Sequence, residues 1–237
     1  MDSRRILASA SLLMVCGISF VHAGRVGSPQ QSPAAPTDTH PAFSEIEDDP
    51  ALPRVLLIGD SISIGYTLTT RALLQGKANV HRIPVNGGPT INGLENVDQW
   101  LGVGKWHVIH FNWGLHDVKV MDDGKHQVSI EKYEKNLAEL VERLKRTGAT
   151  LIWASTTPVP DAEVTPPRRN RDVIAYNLAA NRVMAQNGIT IDDLYAVALP
   201  RLHEIQRPAN VHYTDAGYEV LAARVAASVR AALDSPH

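Results

Sequence analysis

Four short segments hold the residues whose types and spacing could do chemistry. Gly59-Asp60-Ser61-Ile62-Ser63 follows an apolar run. A serine there has its backbone amide at the start of the next helix, where unpaired N–H groups and partial positive charge suit a developing oxyanion. Asp60 and Ser61 could equally do no more than cap that helix. Asn86-Gly87-Gly88-Pro89-Thr90 carries adjacent glycines, which let a backbone N–H approach a ligand closely or simply make a turn. Asn112-Trp113-Gly114-Leu115-His116-Asp117 crowds polar and ring-bearing side chains after another apolar run. Val211-His212-Tyr213-Thr214-Asp215-Ala216-Gly217 offers Thr214 as a helix cap. A histidine two residues before it is free to point into a cleft or to sit idle on the surface.

A metal reading also arises, because His107, His110, His116 and Asp117 lie close in sequence. Side chains alternate along a strand, so His107 and His110 point to opposite faces and cannot share an ion. No metal site is expected among them.

These segments need a scaffold that brings them together. Continuous apolar runs at Arg54–Gly59, Ala78–Ile83, His107–Phe111, Thr150–Ala154 and, weakly, Gly188–Ile191 read as parallel strands covered on both faces. Helical patterns lie between them. In Ser129–Thr147 one face holds Tyr133, Leu137, Leu140, Val141 and Leu144, and Gly148 follows as a stop. Others run over Asp172–Gln186 and Asp215–Leu233. The alternation predicts an α/β fold of three layers, α/β/α, around a flavodoxin-like parallel sheet of about five strands. Ligands bind such sheets beyond the carboxyl ends of the strands, where the first three segments fall; the fourth stands just ahead of the final helix.

The chain has 237 residues, 44% hydrophobic and 20% charged, with a formal net charge of −2. That balance is globular, and a nearly neutral chain with 5% aromatics has no footprint for nucleic acid. Arg4 and Arg5 precede an apolar run from Ile6 to Val21, and Val21-His22-Ala23 suits a cleavage site. Residues 1–23 therefore read as a signal peptide. The run is too short, and too rich in Ala, Ser and Gly, for comfortable spanning, so no stable membrane insertion is expected after cleavage. Leu13 and Cys16 allow a lipid-attachment reading, but Val15 is a poor neighbour for it. Cys16 is the only cysteine, which removes disulfides and thiol chemistry from the mature chain. Residues 24–53, rich in Ser, Pro, Gln and Asp, read as a disordered linker, leaving 54–237 as the folded domain.

Taken together, the four segments resemble the SGNH (GDSL-type) hydrolase family, whose sequence blocks occur in this order with comparable spacing. The resemblance implies that Ser61 is the nucleophile, Gly88 a backbone oxyanion donor beside the Ser61 amide, and His212 the general base. Two places depart from the family pattern. The third block is usually Gly-x-Asn-Asp and here reads Gly114-Leu115-His116-Asp117, so the third oxyanion donor falls to His116, favoured by position, or to Asn112. The last block usually carries Asp three residues before its His, where Ala209 stands. A Ser61–His212 dyad is then expected, with His212 oriented by a neutral acceptor such as the Asn210 side chain; Asp215 stands in a capping position.

The chemistry this resemblance implies is acyl transfer through a seryl ester, with no metal and no organic cofactor. Export, with no long apolar insertion resembling a lid, favours a small acyl group, acetyl above all, on carbohydrate. Lysophospholipid or thioester hydrolysis, and a catalytically weak carbohydrate-binding protein, are the alternatives. The expected partner is thus a small ester or an acetylated carbohydrate, met in the periplasm or outside the cell.

Overall fold

The computed structural model of the chain describes residues 40–235. The export segment 1–23, with Cys16, and the linker as far as residue 39 lie outside the described residues. Strands β1 (Arg54–Ile58), β2 (Asn79–Arg82), β3 (Val108–Phe111), β4 (Thr150–Ala154) and β5 (Thr190–Asp192) form one parallel sheet. Their order is β2-β1-β3-β4-β5, the flavodoxin-like arrangement. Val55, Leu56, Leu57 and Ile58 are all buried. A strand covered on both faces has no solvent side, so it reads as an unbroken apolar run.

Helices α1 (Ser61–Leu73), α2 (Thr90–Leu101), α3 (Ile130–Lys145), α4 (Asn170–Asn187), α5 (Leu194–Ala198), α6 (Leu202–Ile205) and α7 (Asp215–Asp234) follow in chain order. α1 packs on α7 along one face, while α2, α3 and α4 pack side by side on the other, as right-handed crossovers require. The apolar face of α3 is completely buried at Tyr133, Leu137, Leu140, Val141 and Leu144. Its ends lie inside the expected bounds for a local reason. Ser129 is the cap, accepting from the Lys132 N–H, and Thr147 turns its hydroxyl back onto the Leu144 carbonyl.

Residues 40–53, read above as the end of the linker, are instead fixed to the domain. Ala42, in the 3-10 turn Pro41–Phe43, is buried. The Asp48 carboxylate lies 2.7 Å from Arg54 Nε and 2.6 Å from His81 Nε2. Asn79 donates to the Asp49 carbonyl and accepts its N–H, at 2.8 and 3.0 Å. Polar side chains rather than an apolar stripe hold this segment, which is why its composition reads as a tether.

The strand order reverses at β1 and β3, so the chain crosses in opposite senses from their ends. That switch point sets Gly59–Ser61 beside Asn112–Asp117.

Candidate active site

Ser61 is the first residue of α1, so its N–H has no partner within the helix. Asp60 is the cap, its Oδ1 accepting from the Ile62 N–H at 2.9 Å. Beneath the turn lies Arg82, buried at the end of β2. Its Nη2 donates to the carbonyls of Gly59 (3.1 Å) and Asp60 (3.2 Å) and to Ser63 Oγ (2.8 Å). One guanidinium thus clamps the backbone on both sides of the strand-to-helix corner. Sequence reasoning missed Arg82; a lone cation ending an apolar strand was the available signal.

His212 comes from the loop between α6 and α7. The base of that loop is closed by an antiparallel bridge between Gln206 and Tyr213, and the Arg207 N–H donates to the His212 carbonyl at 2.9 Å. The Gln206 amide reaches across to the Pro158 carbonyl, and Thr214 caps α7. This frame puts His212 Nε2 2.9 Å from Ser61 Oγ. On the other side of the ring, Nδ1 lies 2.7 Å from Asn210 Oδ1, which also accepts the His212 backbone N–H at 2.9 Å. An amide oxygen can only accept, so the ring proton belongs on Nδ1 and the Nε2 lone pair faces the serine. Burial lowers the His212 pKa; Asp60 works against this and Arg207 and Arg168 with it. The imidazole is therefore neutral at pH 7, as a base must be. Ala209, where the family's acid would stand, is exposed with φ 47°.

The expected oxyanion donors fare differently. Gly88 has φ 60°, which a glycine adopts without cost, and its N–H is taken up by Asn86 Oδ1 at 3.0 Å. It can serve an oxyanion only by leaving Asn86. Asn112 does not offer its amide to this space. Its Nδ2 donates to the Ala154 carbonyl (2.8 Å) and to Thr156 Oγ1 (3.2 Å), tying the end of β3 to the end of β4.

His116 is half-buried, and its Nδ1 lies 3.0 Å from Lys119 Nζ. An ammonium can only donate, so Nδ1 is the acceptor and the ring proton sits on Nε2. Burial lowers the His116 pKa; Asp60 opposes the shift, and Lys119, Arg168 and His212 add to it. The side chain is thus a neutral donor held by a residue three positions on, which sequence reasoning did not single out. Gly114 makes the turn possible, because at φ 153° a Cβ would stand 2.2 Å from Thr156 Oγ1. Next to His116, the buried Asp117 carboxylate accepts both the N–H and the hydroxyl of Thr90, with the N–H at 3.0 Å. Burial pushes its pKa up to about 7. Asp117 thereby fastens the His116 turn to the first residue of α2, two positions beyond Gly88.

Among the described residues no cluster of three His, Cys, Asp or Glu could hold a metal ion. His107 Nδ1 accepts the Arg54 N–H at 2.9 Å, and His110 is buried against Asp192. The arrangement as a whole provides a hydroxyl hydrogen-bonded to a neutral imidazole, with N–H donors at the same strand ends. That is the equipment for nucleophilic attack on a carbonyl.

The model of the GDSL-like lipase/acylhydrolase family matches residues 57–220. Among solved structures, the acetylxylan esterase Axe2 of Geobacillus stearothermophilus superposes with a TM-score of 0.63 at 19% identity, over 75% of this chain and 94% of that one. Another acetyl xylan esterase, AlAXEase, gives 0.64 at 16% identity, over 74% and 99%. The lipase/acylhydrolase of Enterococcus faecalis gives 0.64 at 20% identity, over 76% and 96%. At these identities the likeness is one of fold. Among curated proteins, no sequence matches the chain.

Proposed function

The chain belongs to the GDSL-like lipase/acylhydrolase family, hydrolases of ester bonds, and from that premise we propose that it removes small acyl groups, acetyl foremost, from carbohydrate through an ester on Ser61. The observation that carries this reading is the 2.9 Å contact between Ser61 Oγ and His212 Nε2, with Asn210 Oδ1 fixing the far side of the ring. Ser61 Oγ attacks the acyl carbon while its proton passes to His212 Nε2. The bond to the carbohydrate oxygen then breaks, and Nε2 returns the proton to that oxygen. Water, deprotonated by the same nitrogen, attacks the acyl-enzyme, releasing the acid and Ser61.

The oxyanion of each tetrahedral intermediate is held by the Ser61 N–H and by His116 Nε2–H, with the Gly88 N–H joining when it leaves Asn86. A donor of this kind contributes about 3 kcal/mol to transition-state stabilisation. Lys119 is a positioning residue that keeps the His116 proton on the nitrogen that uses it. The charge of Asp60 favours the imidazolium through space, although it makes no hydrogen bond to the ring.

The neighbouring fold relatives called acetylxylan esterases support an acetylated carbohydrate as substrate, and the residues 1–23 support an exported enzyme. The test is turnover of 4-nitrophenyl acetate and acetate release from acetylated xylo-oligosaccharides, with fluorophosphonate labelling mapped by mass spectrometry. The expected result is turnover of both and a single label on Ser61. No turnover of any ester, or a label on Ser63, would overturn it.

A further inference from the structure

Next to the Gly88 turn, α2 and residues 84–86 form a groove of about 400 Å³ lined also by Asn92, Asn96, Gln99 and Trp100. No charged side chain lines it. Asn92, Asn96 and Gln99 stand at i, i+4 and i+7 and so share one face of the helix. Asparagine is a poor helix former, so helix propensity does not account for its repetition on this face. The amides are also ordered. Asn92 Nδ2 donates to the Gly87 carbonyl at 3.0 Å, and Asn96 Nδ2 donates to the carbonyl and the Oδ1 of Asn92 at 2.9 and 3.0 Å.

That chain of hydrogen bonds runs from the Gly88 turn out along α2. It leaves Asn86 Nδ2, Asn96 Oδ1 and the whole Gln99 amide without a hydrogen-bond partner among the described residues. The groove therefore presents uncharged donors and acceptors, with Asn86, Asn92 and Asn96 held by hydrogen bonds and the Gln99 amide exposed and unpaired, beside the partly buried Trp100 indole and Val85, 42% exposed. An ionic ligand would find no countercharge here, and an acyl chain would strip water from amides it cannot pair. A sugar ring offers hydroxyls for the amides and a C–H face for the indole. The groove also begins at the site itself. Asn86 holds the Gly88 N–H, and the Gly87 N–H donates to the Gly59 carbonyl two residues before Ser61, at 3.0 Å.

We infer that this groove is a subsite for neutral sugar units of the carrier, next to the unit whose ester enters at Ser61. The inference rests on the carbohydrate reading above and names where the carrier lies. The test uses the whole enzyme in two independent measurements. The first is an isothermal calorimetric titration with unesterified xylohexaose, cellohexaose and mannohexaose, with polygalacturonate as the charged control. At least one neutral hexasaccharide should bind to the wild type, and Trp100→Ala and Gln99→Ala should weaken it, the first by about 10-fold. Gln99 is exposed, so its variant guards against misfolding as the cause.

The second measurement compares kcat/KM on acetylated xylo-oligosaccharide with kcat/KM on 4-nitrophenyl acetate. Each variant should lower that ratio through KM on the oligosaccharide. Binding of the charged polymer alone, or of none, overturns the subsite, as does an unchanged ratio. If no ester is turned over, the functional reading fails while the titration still decides the groove.

Discussion

Two histidines of this protein sit in opposite electrostatic settings. His110, in β3, is completely buried, with Nε2 3.0 Å from Asp192 Oδ2, while Arg224 Nε holds the other carboxylate oxygen at 2.6 Å. His212, on a half-buried loop, has only the Asn210 amide oxygen behind it. The molecule thus builds a histidine–carboxylate pair in its core and a histidine–amide pair beside its serine. In the core an ionised Asp must be matched by partners or not ionise at all. Burial works to raise the Asp192 pKa, yet the hydrogen bonds and charges of His110 and Arg224 hold it below the usual carboxylate value. Near the surface no buried charge needs matching, and an acceptor suffices to choose the tautomer. A carboxylate on a histidine is therefore not by itself a sign of catalysis, and an amide oxygen is enough to orient the His212 ring.

That contrast can be broken most severely at the serine. Ser61→Ala should lower kcat by about 10⁴-fold or more without changing thermal stability, measured with 4-nitrophenyl acetate. Retained activity would move the chemistry away from His212 altogether. The opposite signature is expected in the core. Asp192→Asn should cost about 3–5 kcal/mol of stability at pH 7, because it leaves a buried pair half-made, while kcat of the folded fraction is kept. Since the folded-state pKa of Asp192 is depressed, its contribution is complete above the unfolded value of about 3.9 and is lost as pH falls through the folded value. The stability gap between wild type and variant should therefore close below about pH 4 in denaturant titrations.

Smaller effects sharpen the picture at the site. His116→Ala should lower kcat by about 10²–10³-fold with little change in KM. Equal loss in Asn112→Ala alone would return the donor role to Asn112. Lys119→Met should cost about 10-fold through the tautomer of His116. In a His116→Asn background, whose amide has no tautomer to choose, the same change should have no such effect.

β1, β3 and β4 were legible because parallel strands buried on both faces announce themselves as apolar runs, and α3 because its stripe is clean, whereas β2 (NVHR) and β5 (TID) carry more polar than apolar residues and gave a weaker signal. α2 was not legible, since its exposed side is a line of amides and its sequence carries Gly93. At the site, the pairing of Asn210 with His212 was legible because they stand two positions apart, whereas Ser61 and His212, 151 residues apart, were suggested only by the resemblance of their blocks to the family. Arg82 was not legible, because its clamp depends on the register that sets it opposite Leu57 across the β1–β2 pair. Nor was the fate of Asn112, decided by a carbonyl 42 residues away in β4. Residues 40–53 escaped for a related reason: the partners that fix them, Asn79, His81 and Arg54, lie beyond the segment itself.

The neutral acceptor behind His212 is tested most directly by giving it a charge. Asn210→Asp keeps the shape of the side chain and places a carboxylate where the imidazolium forms. With the wild type, kcat/KM should rise with pH through a midpoint below the ordinary imidazole value of about 6.5, since burial lowers the His212 pKa. In Asn210→Asp that midpoint should move upward, and kcat at pH 8 should increase by about 10-fold, because a charge-assisted hydrogen bond now stabilises the protonated base. An unchanged midpoint with unchanged or lower kcat, in a stably folded variant, would contradict the Ser61–His212 dyad and mean that some other acid already holds the histidine.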